Sequence, residues 1–440
     1  MNYRTPLSLA AVLATTLGAL PLAHATNGML LEGYGPVAAG MGGASTATDN
    51  GIAAVTNNPA TLGLMAAGSR LDVAVGMLGP NVASDGGPYG RAKSGGTSYV
   101  MPAVGYGRSD GSLTYGVAMF AQGGMGTEYG QDSFLAMGSG APVRSELGVG
   151  RLIAPVAWRV SPNLTVGATL DFVWSSLDMR MAASGAQLGG MVTSAGGNLA
   201  AALPALGGAP WARIDFSDNS SFSGAALGTG FAAKLGVLYQ ASPTLNLGAS
   251  FHSQTHIGDM KTSASGASIS APGPFLDNGR ITVQNFQMPS EITIGAAWQA
   301  SASTLLAADL RHIGWSSVMK DFRLRFDSAG MGGNVSFALP QNWKDQTVVH
   351  IGASQRLSPE WTLRAGANVA DNPIPDAYVN PLFPAIVKSH YTLGAGYALS
   401  RGGEINASAA YAPEVKVNAG SGPVITHSQL NLQLMYSARF

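Results

Sequence analysis

The side chains able to do chemistry in this chain are few and scattered. Its seven histidines include one close pair, His252 and His256. A spacing of four places two imidazoles on one face of a helix, where they could hold a metal. The flanking Phe251 to Gln254 reads instead as a strand end running into a loop, so no metal site is expected. Cysteine is absent, which removes thiolate catalysis, disulfides and cysteine-type metal sites. There is no H-E-x-x-H, no G-x-S-x-G and no phosphate-binding loop. No catalytic residue and no cofactor is expected. What the chain has in quantity is grease in its connections. Residues 185–216 carry Leu188, Met191, Val192, Leu199, Leu203, Leu206, Trp211 and Phe216, and 123–137 adds Met125, Phe134, Leu135 and Met137. Exposed apolar patches mark binding surfaces, and methionine adapts to varied shapes. Two readings follow. Phe134, Leu199, Leu203, Leu206 and Trp211 capture an apolar ligand, or the loops pack on each other and bury their own apolar groups.

The elements that must position these loops are strands. Of 440 residues, 46% are hydrophobic and only 11% charged, with a formal net charge of +0. A soluble globular chain carries about 25% charged residues, so this surface does not face water everywhere. No nucleic-acid partner is expected. Residues 1–25 read as a secretory signal: Arg4, an apolar run from Leu7 to Leu20, and an Ala23-His24-Ala25 cleavage site. Beyond it, apolar and small-polar residues alternate with period 2. Leu164, Val166, Ala168, Leu170, Phe172 and Trp174 face one way, and Thr165, Gly167, Thr169 and Asp171 the other. Glu291–Trp298, Trp361–Val369 and Tyr391–Leu399 repeat the pattern. The polar face is rich in Gly, Thr, Ser and Asn and poor in charge, which suits the inside of a membrane barrel better than the outside of a soluble one. Trp158, Trp174, Trp298, Trp315, Trp361 and Tyr436 sit near strand ends, as interfacial girdles require.

Six short turns (108–112, 160–163, 240–244, 300–303, 357–360, 399–403) alternate with seven long loops (80–96, 123–145, 182–228, 256–280, 314–345, 372–387, 413–426). That alternation predicts an all-β transmembrane antiparallel barrel of about fourteen strands over residues 69–440, with both ends on the periplasmic side. A general diffusion porin fits this much. So does an outer-membrane lipid hydrolase, whose Ser, His and Asp or Asn would sit on adjacent strands and leave no linear motif. Ahead of the strands, residues 26–68 have neither period. Their Met29, Leu30, Leu31, Ile52, Val55, Leu62, Leu64 and Met65 need burial, and Asn57-Asn58-Pro59-Ala60 is a turn signal. An irregular, partly apolar segment in front of a barrel suggests a plug.

That segment resembles the N-terminal hatch of the FadL/TodX family of outer-membrane channels for fatty acids and aromatic hydrocarbons. The resemblance rests on Gly33, Gly35, Gly40, Gly42, Gly43 and Asp49, and on the hatch motif Asn58, Pro59, Ala60 and Leu62. It continues in Met288-Pro289-Ser290-Glu291, in Leu339-Pro340-Gln341-Asn342-Trp343-Lys344-Asp345, and in Trp361-Thr362-Leu363-Arg364 followed by Asp371-Asn372-Pro373-Ile374-Pro375-Asp376. The middle, 182–228, does not match in detail. The last strand, with Tyr436 and Phe440 on one face, resembles the C-terminal signal read by barrel-insertion machinery.

The resemblance implies a monomer in the outer membrane of a Gram-negative bacterium, among outer-membrane lipid and lipopolysaccharide. It takes up hydrophobic molecules by passive diffusion: capture by the extracellular loops, rearrangement of the hatch, and lateral exit through an inward kink in an early strand. A kink in the third strand would use Gly116, Gly123 or Gly124. Arg180 stands at about the position where the family holds a carboxylate. The family's second basic contact falls near Leu339, where this chain has no cation, and Lys344 is not its equivalent. Arg364, Asp309 and Arg311 are expected to face the lumen and pair with each other or with the hatch.

Overall fold

The computed structural model describes residues 27–220 and 223–440. The expected leader, 1–25, lies outside the described residues. No helix among them is long and apolar enough to cross a membrane. What could cross is a closed wall of antiparallel strands: β1 (Gly68–Asp85), β2 (Tyr99–Ser109), β3 (Leu113–Tyr129), β4 (Val143–Ser161), β5 (Leu164–Ala183), β6 (Ala226–Ser242), β7 (Leu245–His252), β8 (Glu291–Gln299), β9 (Thr304–Ile313), β10 (Gln346–Arg356), β11 (Trp361–Ala370), β12 (His390–Ala398), β13 (Gly403–Asn418) and β14 (Val424–Arg439). Each pairs with the next, and β14 returns to β1 over a register running from Arg70↔Arg439 to Asp85↔Val424. Closure leaves no edge strand unpaired.

The sheet as a whole has 23 strands, more than the fourteen or so that alternation alone suggests. The surplus lies in the connections. Short strands such as Ala212–Phe216, Leu276–Gln284, Asp321–Ser328 and Asn334–Pro340 continue the ladders beyond the wall. Asp321–Ser328 does alternate, with Phe322, Leu324 and Phe326 buried, but it falls inside a span read as one long loop. The connection expected at 413–426 is shorter than read: β13 and β14 extend past a bulge between Ala412 and Val415 and leave only a tight turn.

The alternation has the sense expected of a membrane wall. On β6, Leu227, Phe231, Leu235, Val237 and Tyr239 are exposed, while Lys234 and Leu238 are buried. Leaving one such side chain in water forgoes roughly 1.5–3 kcal/mol. Repeated around the wall, that exceeds the roughly 5–15 kcal/mol by which a domain is stable. The outer surface therefore faces an apolar medium. Trp158, Trp298, Trp361, Tyr397 and Tyr436 are outward at the short-turn end, and Trp361 packs at a tilt against its ladder partner Tyr397 at 4.8 Å between ring centres. Trp315 departs from the girdle expected of it. It is fully buried, edge-on to Trp343 at 4.9 Å, because it lies in a short helical turn after β9 and not on the wall.

Residues 27–65 lie against inward-facing side chains from many strands. Asp309 on β9 accepts from the amides of Ser45 and Thr46 and from the Thr46 hydroxyl at 2.7, 2.9 and 2.7 Å. Asp72 on β1 accepts from the Ile52 amide at 2.8 Å. The Asn58 side chain caps the turn Pro59–Leu64, accepting from Ala60 N, and donates to Thr46 O and to Val237 O on β6. Lys234 donates to Thr56 O, and Arg159 to Gly63 O. Gly42 (φ 66°) runs so close to β11 that a Cβ would sit 2.5 Å from the Ala367 backbone, an approach that glycine permits.

Candidate functional site

The wall has one break in its early strands. The β2–β3 ladder runs from Ser109↔Thr114 to Ala103↔Phe120 and stops. The next β2 residue is Pro102, which has no N–H to donate. From there Tyr99–Pro102 pair only with β1, at Leu78↔Tyr99 to Val75↔Pro102. On the other side, Ala121 and Gly123 pair only with β4, with a bulge at Gln122 between them. The two strands part, and each keeps its outer neighbour.

The inner segment holds the bulge. The Tyr34 hydroxyl donates to Gln122 O at 2.7 Å. Burial and, secondarily, Glu291 raise the Tyr34 phenol above its ordinary value, so it stays protonated and able to donate. The Gln122 side chain accepts from Arg151 Nε at 2.6 Å. Arg151 also donates to Asp171 at 3.0 Å and to Thr255 at 2.6 Å. His252 lies 3.3 Å from both Asp171 and Glu291, and Glu291 accepts from Arg311 Nε at 2.7 Å. Arg311 reaches back to Leu31 O at 3.3 Å. One buried polar network thus joins the bulge in β3 to both ends of residues 31–34. Gly123 stands against that segment too: a Cβ there would lie 2.2 Å from Met29 O.

Behind the break is a cavity of about 360 Å³, within the roughly 300–1,000 Å³ of small-molecule sites. Its walls are mostly apolar: Met29, Leu30 and Leu31 inside, Met101 and Pro102 on β2, Met125 on β3, Leu147 and Val149 on β4. Its polar side chains include Glu32, Glu146, His390, His427 and Gln429, and its lining has no lysine or arginine. The 371–389 connection folds inward over it. Pro381 O accepts from the hydroxyls of Thr127 and Tyr129, and Leu382 O from those of Thr127 and Ser145. Such a lining matches neutral apolar molecules in polarity and gives an anionic head group no lysine or arginine to meet.

A family model described as outer membrane protein transport protein (OMPP1/FadL/TodX) matches residues 23–438. The chain belongs to the FadL/TodX family. Among solved structures, the toluene transporter TbuX of Ralstonia pickettii is 33% identical over 93% of this chain and 99% of its own, with a TM-score of 0.78. The toluene transporter TodX of Pseudomonas putida is 30% identical over 93% and 99%, with a TM-score of 0.82. CymD, a monoaromatic hydrocarbon channel, is 26% identical over 93% and 98%, at 0.74. A curated relative from Chlorobium limicola, described as an uncharacterized protein in the phosphoenolpyruvate carboxykinase gene 5' region, is 48% identical over 77 residues, 17% of this chain and 37% of that one. Membership places this FadL/TodX chain in the outer membrane.

Within the FadL/TodX frame the residues singled out in the sequence fall in different places. Gly123 and Gly124 line the cavity at the break. Gly116 lies lower on β3, paired with Gly107. Leu199 and Leu206 are buried in one large apolar cluster that joins the long loops to Met29, Leu30, Leu147 and Val149 of the cavity wall, with Leu203 and Phe134 packed on its margin, and Trp211 is half-buried outside that cluster. None of these five lines the cavity. Arg180 is also off it, donating to the Asn219 side chain at 2.6 Å. Tyr436 and Phe440 point outward, and Phe440 exchanges backbone hydrogen bonds with Ser69 at the start of β1. His252 is buried in the network and His256 is exposed, so the pair does not converge. Sequence reasoning missed Tyr34, Gln122, Arg151, His390 and His427. Besides Gly123 and Gly124, the break had a local signal in Pro102, a proline inside a strand pattern.

Proposed function

We propose that this chain is a passive channel, not an enzyme, which carries neutral hydrophobic molecules of monoaromatic size into the outer membrane. The β2–β3 break opening on an apolar cavity carries this reading. In it, strands β1–β14 are a fourteen-stranded membrane wall. Residues 26–68 are the hatch, and the sets at Tyr34 and Asp309 are its attachments. The extracellular capture surface is the half-buried Phe134, Leu203 and Trp211, with Leu199 and Leu206 buried as its support. The ligand leaves sideways through the break, past Gly123 and Gly124. A lateral route suits the cargo, since an apolar chain loses about 0.8 kcal/mol per CH₂ on entering water. TbuX and TodX are toluene transporters and CymD is a monoaromatic hydrocarbon channel, which agrees with a cavity without cations. The protein works as a monomer, surrounded by lipopolysaccharide, after insertion guided by Tyr436 and Phe440.

The test is uptake of labelled toluene and labelled oleate by cells carrying the protein in their outer membrane. Toluene uptake is expected to rise several-fold over cells without it, with little change for oleate. Large stable ion conductance without toluene uptake would return the reading to a general porin. Labelling by a serine-directed covalent probe would favour the hydrolase. Arg180→Ala is expected to leave toluene uptake within about twofold of the parent in the same assay, because Arg180 bonds a loop asparagine and not the cavity. A tenfold loss would put Arg180 on the path.

A further inference from the structure

The cavity lining has donors on Tyr99, Trp174, Ser176, Ser223 and Gln429, and it also holds a buried acceptor that lacks a donor of its own. His427, on the inward face of β14 and 7% exposed, has Nδ1 2.8 Å from Pro384 O. A carbonyl only accepts, so Nδ1 carries the proton and Nε2 is a bare lone pair. That Nε2 is buried and has no hydrogen-bond partner. The second imidazole, His390, is 2% exposed and lines the same cavity. Its Nδ1 lies 3.0 Å from Asn368 Oδ1. The Asn368 amide is oriented by its own donation to Gly42 O, so His390 also keeps Nε2 as its acceptor. Glu32, whose carboxylate takes a long 3.3 Å bond from Asn431, adds acceptor oxygens. A buried acceptor without a donor is costly, and a bare hydrocarbon cannot supply one.

Resting on the proposed uptake of neutral hydrophobic molecules, we propose that the cavity selects those bearing one hydroxyl donor, as in a phenol or a small aromatic alcohol. His427 Nε2 is the group that reads the hydroxyl, and His390 is the second acceptor beside it. In this proposal the ring turns about its Pro384 bond to present Nε2 to a ligand in the cavity. A carboxylate would bring a fourth acceptor and a charge, and is rejected by the same residues.

The experiment is equilibrium dialysis of the detergent-purified full chain against 4-methylphenol and p-xylene, which differ by hydroxyl for methyl, with protein-free micelles as the blank. The wild type is expected to bind 4-methylphenol about tenfold more tightly than p-xylene. In His427→Leu the ratio falls to about one through weaker binding of 4-methylphenol. His390→Leu, which leaves the Pro384 bond in place, lowers the ratio part-way and serves if His427→Leu does not fold. Equal wild-type affinities, or a ratio unchanged in both variants, overturn the inference and leave the uptake reading standing. A wild type that binds neither compound overturns both.

Discussion

Gly123→Val is expected to cut toluene uptake by at least tenfold while leaving a folded barrel. The added Cβ would fall 2.2 Å from Met29 O, so either the inner segment shifts or the strand does. If the strand holds, the valine branches fill the mouth of the break between Met29 and the cavity. If the strand shifts, the bulge at Gln122 straightens, and β3 can extend its ladder with Tyr99–Pro102 of β2, because a β-branched residue favours regular pairing. Both outcomes close the wall. Gly123 has φ 158°, so valine also draws the backbone toward ordinary strand geometry. Uptake by cells measures the first half, and the heat-dependent electrophoretic shift of a folded barrel measures the second. Normal uptake in a folded Gly123→Val protein would show that the ligand does not leave between β2 and β3. Gly116→Val makes a useful contrast. Gly116 lies in the part of β3 still paired with β2 and off the cavity, so any loss there reports packing.

What the sequence made legible, and what it hid, follows from the range of the interactions involved. Outward Leu235 and inward Lys234 were readable because period 2 is local, and neighbouring residues must face opposite sides of a pleated sheet. The burial of Met29, Leu30, Ile52, Val55 and Leu62 was readable from apolar residues with nowhere else to go, whereas Leu64, expected with them, is exposed. The break was only half readable. Glycine at 123 and 124 signals a place where a ladder can fail, but glycine is common along these strands. The decision is made by Tyr34, 88 residues away from Gln122 in the chain, and by Arg151 on the next strand. A tyrosine in an irregular segment and an arginine on a polar face look ordinary until the barrel closes. His427 was hidden in the same way, as one polar residue on the inner face of a regular strand. Its meaning comes from Pro384, which only the inward fold of the 371–389 connection brings to it. The loop leucines were misleading in the opposite sense. Leu199 and Leu206 advertise an apolar surface, but each is largely buried by other loop residues.

Asp309→Ala is expected to turn a closed protein into an ion-conducting one. The Asp309 carboxylate is buried, and among the described residues it has no cation partner within ion-pair distance. Its charge is balanced by three donors from Ser45 and Thr46 on a single oxygen, Oδ2. Hydrogen bonds to a charged group contribute roughly 1.5–3 kcal/mol each. Burying the carboxylate has its own cost, so the alanine variant does not lose the full sum. It does leave two buried amides and a hydroxyl with no acceptor, and those groups then gain by reaching water. The same stretch is held on its other side by Asn58 Nδ2 on Thr46 O at 2.7 Å, so Asp309→Ala combined with Asn58→Ala should release it further. With residues 43–58 loosened, the polar inner faces of β7 to β10 become a water path. Planar-bilayer recording is expected to show little stable conductance for the wild type, clear channel openings for Asp309→Ala, and an intermediate level for Asp309→Asn, which keeps one acceptor oxygen. An Asp309→Ala protein as silent as the wild type would mean that the Gly42 contacts with Thr392 and His350 are enough to seat the segment. A wild type already conducting at the variant's level would mean that residues 27–65 do not seal the barrel, and that ions, rather than hydrophobic molecules, are what this wall lets through.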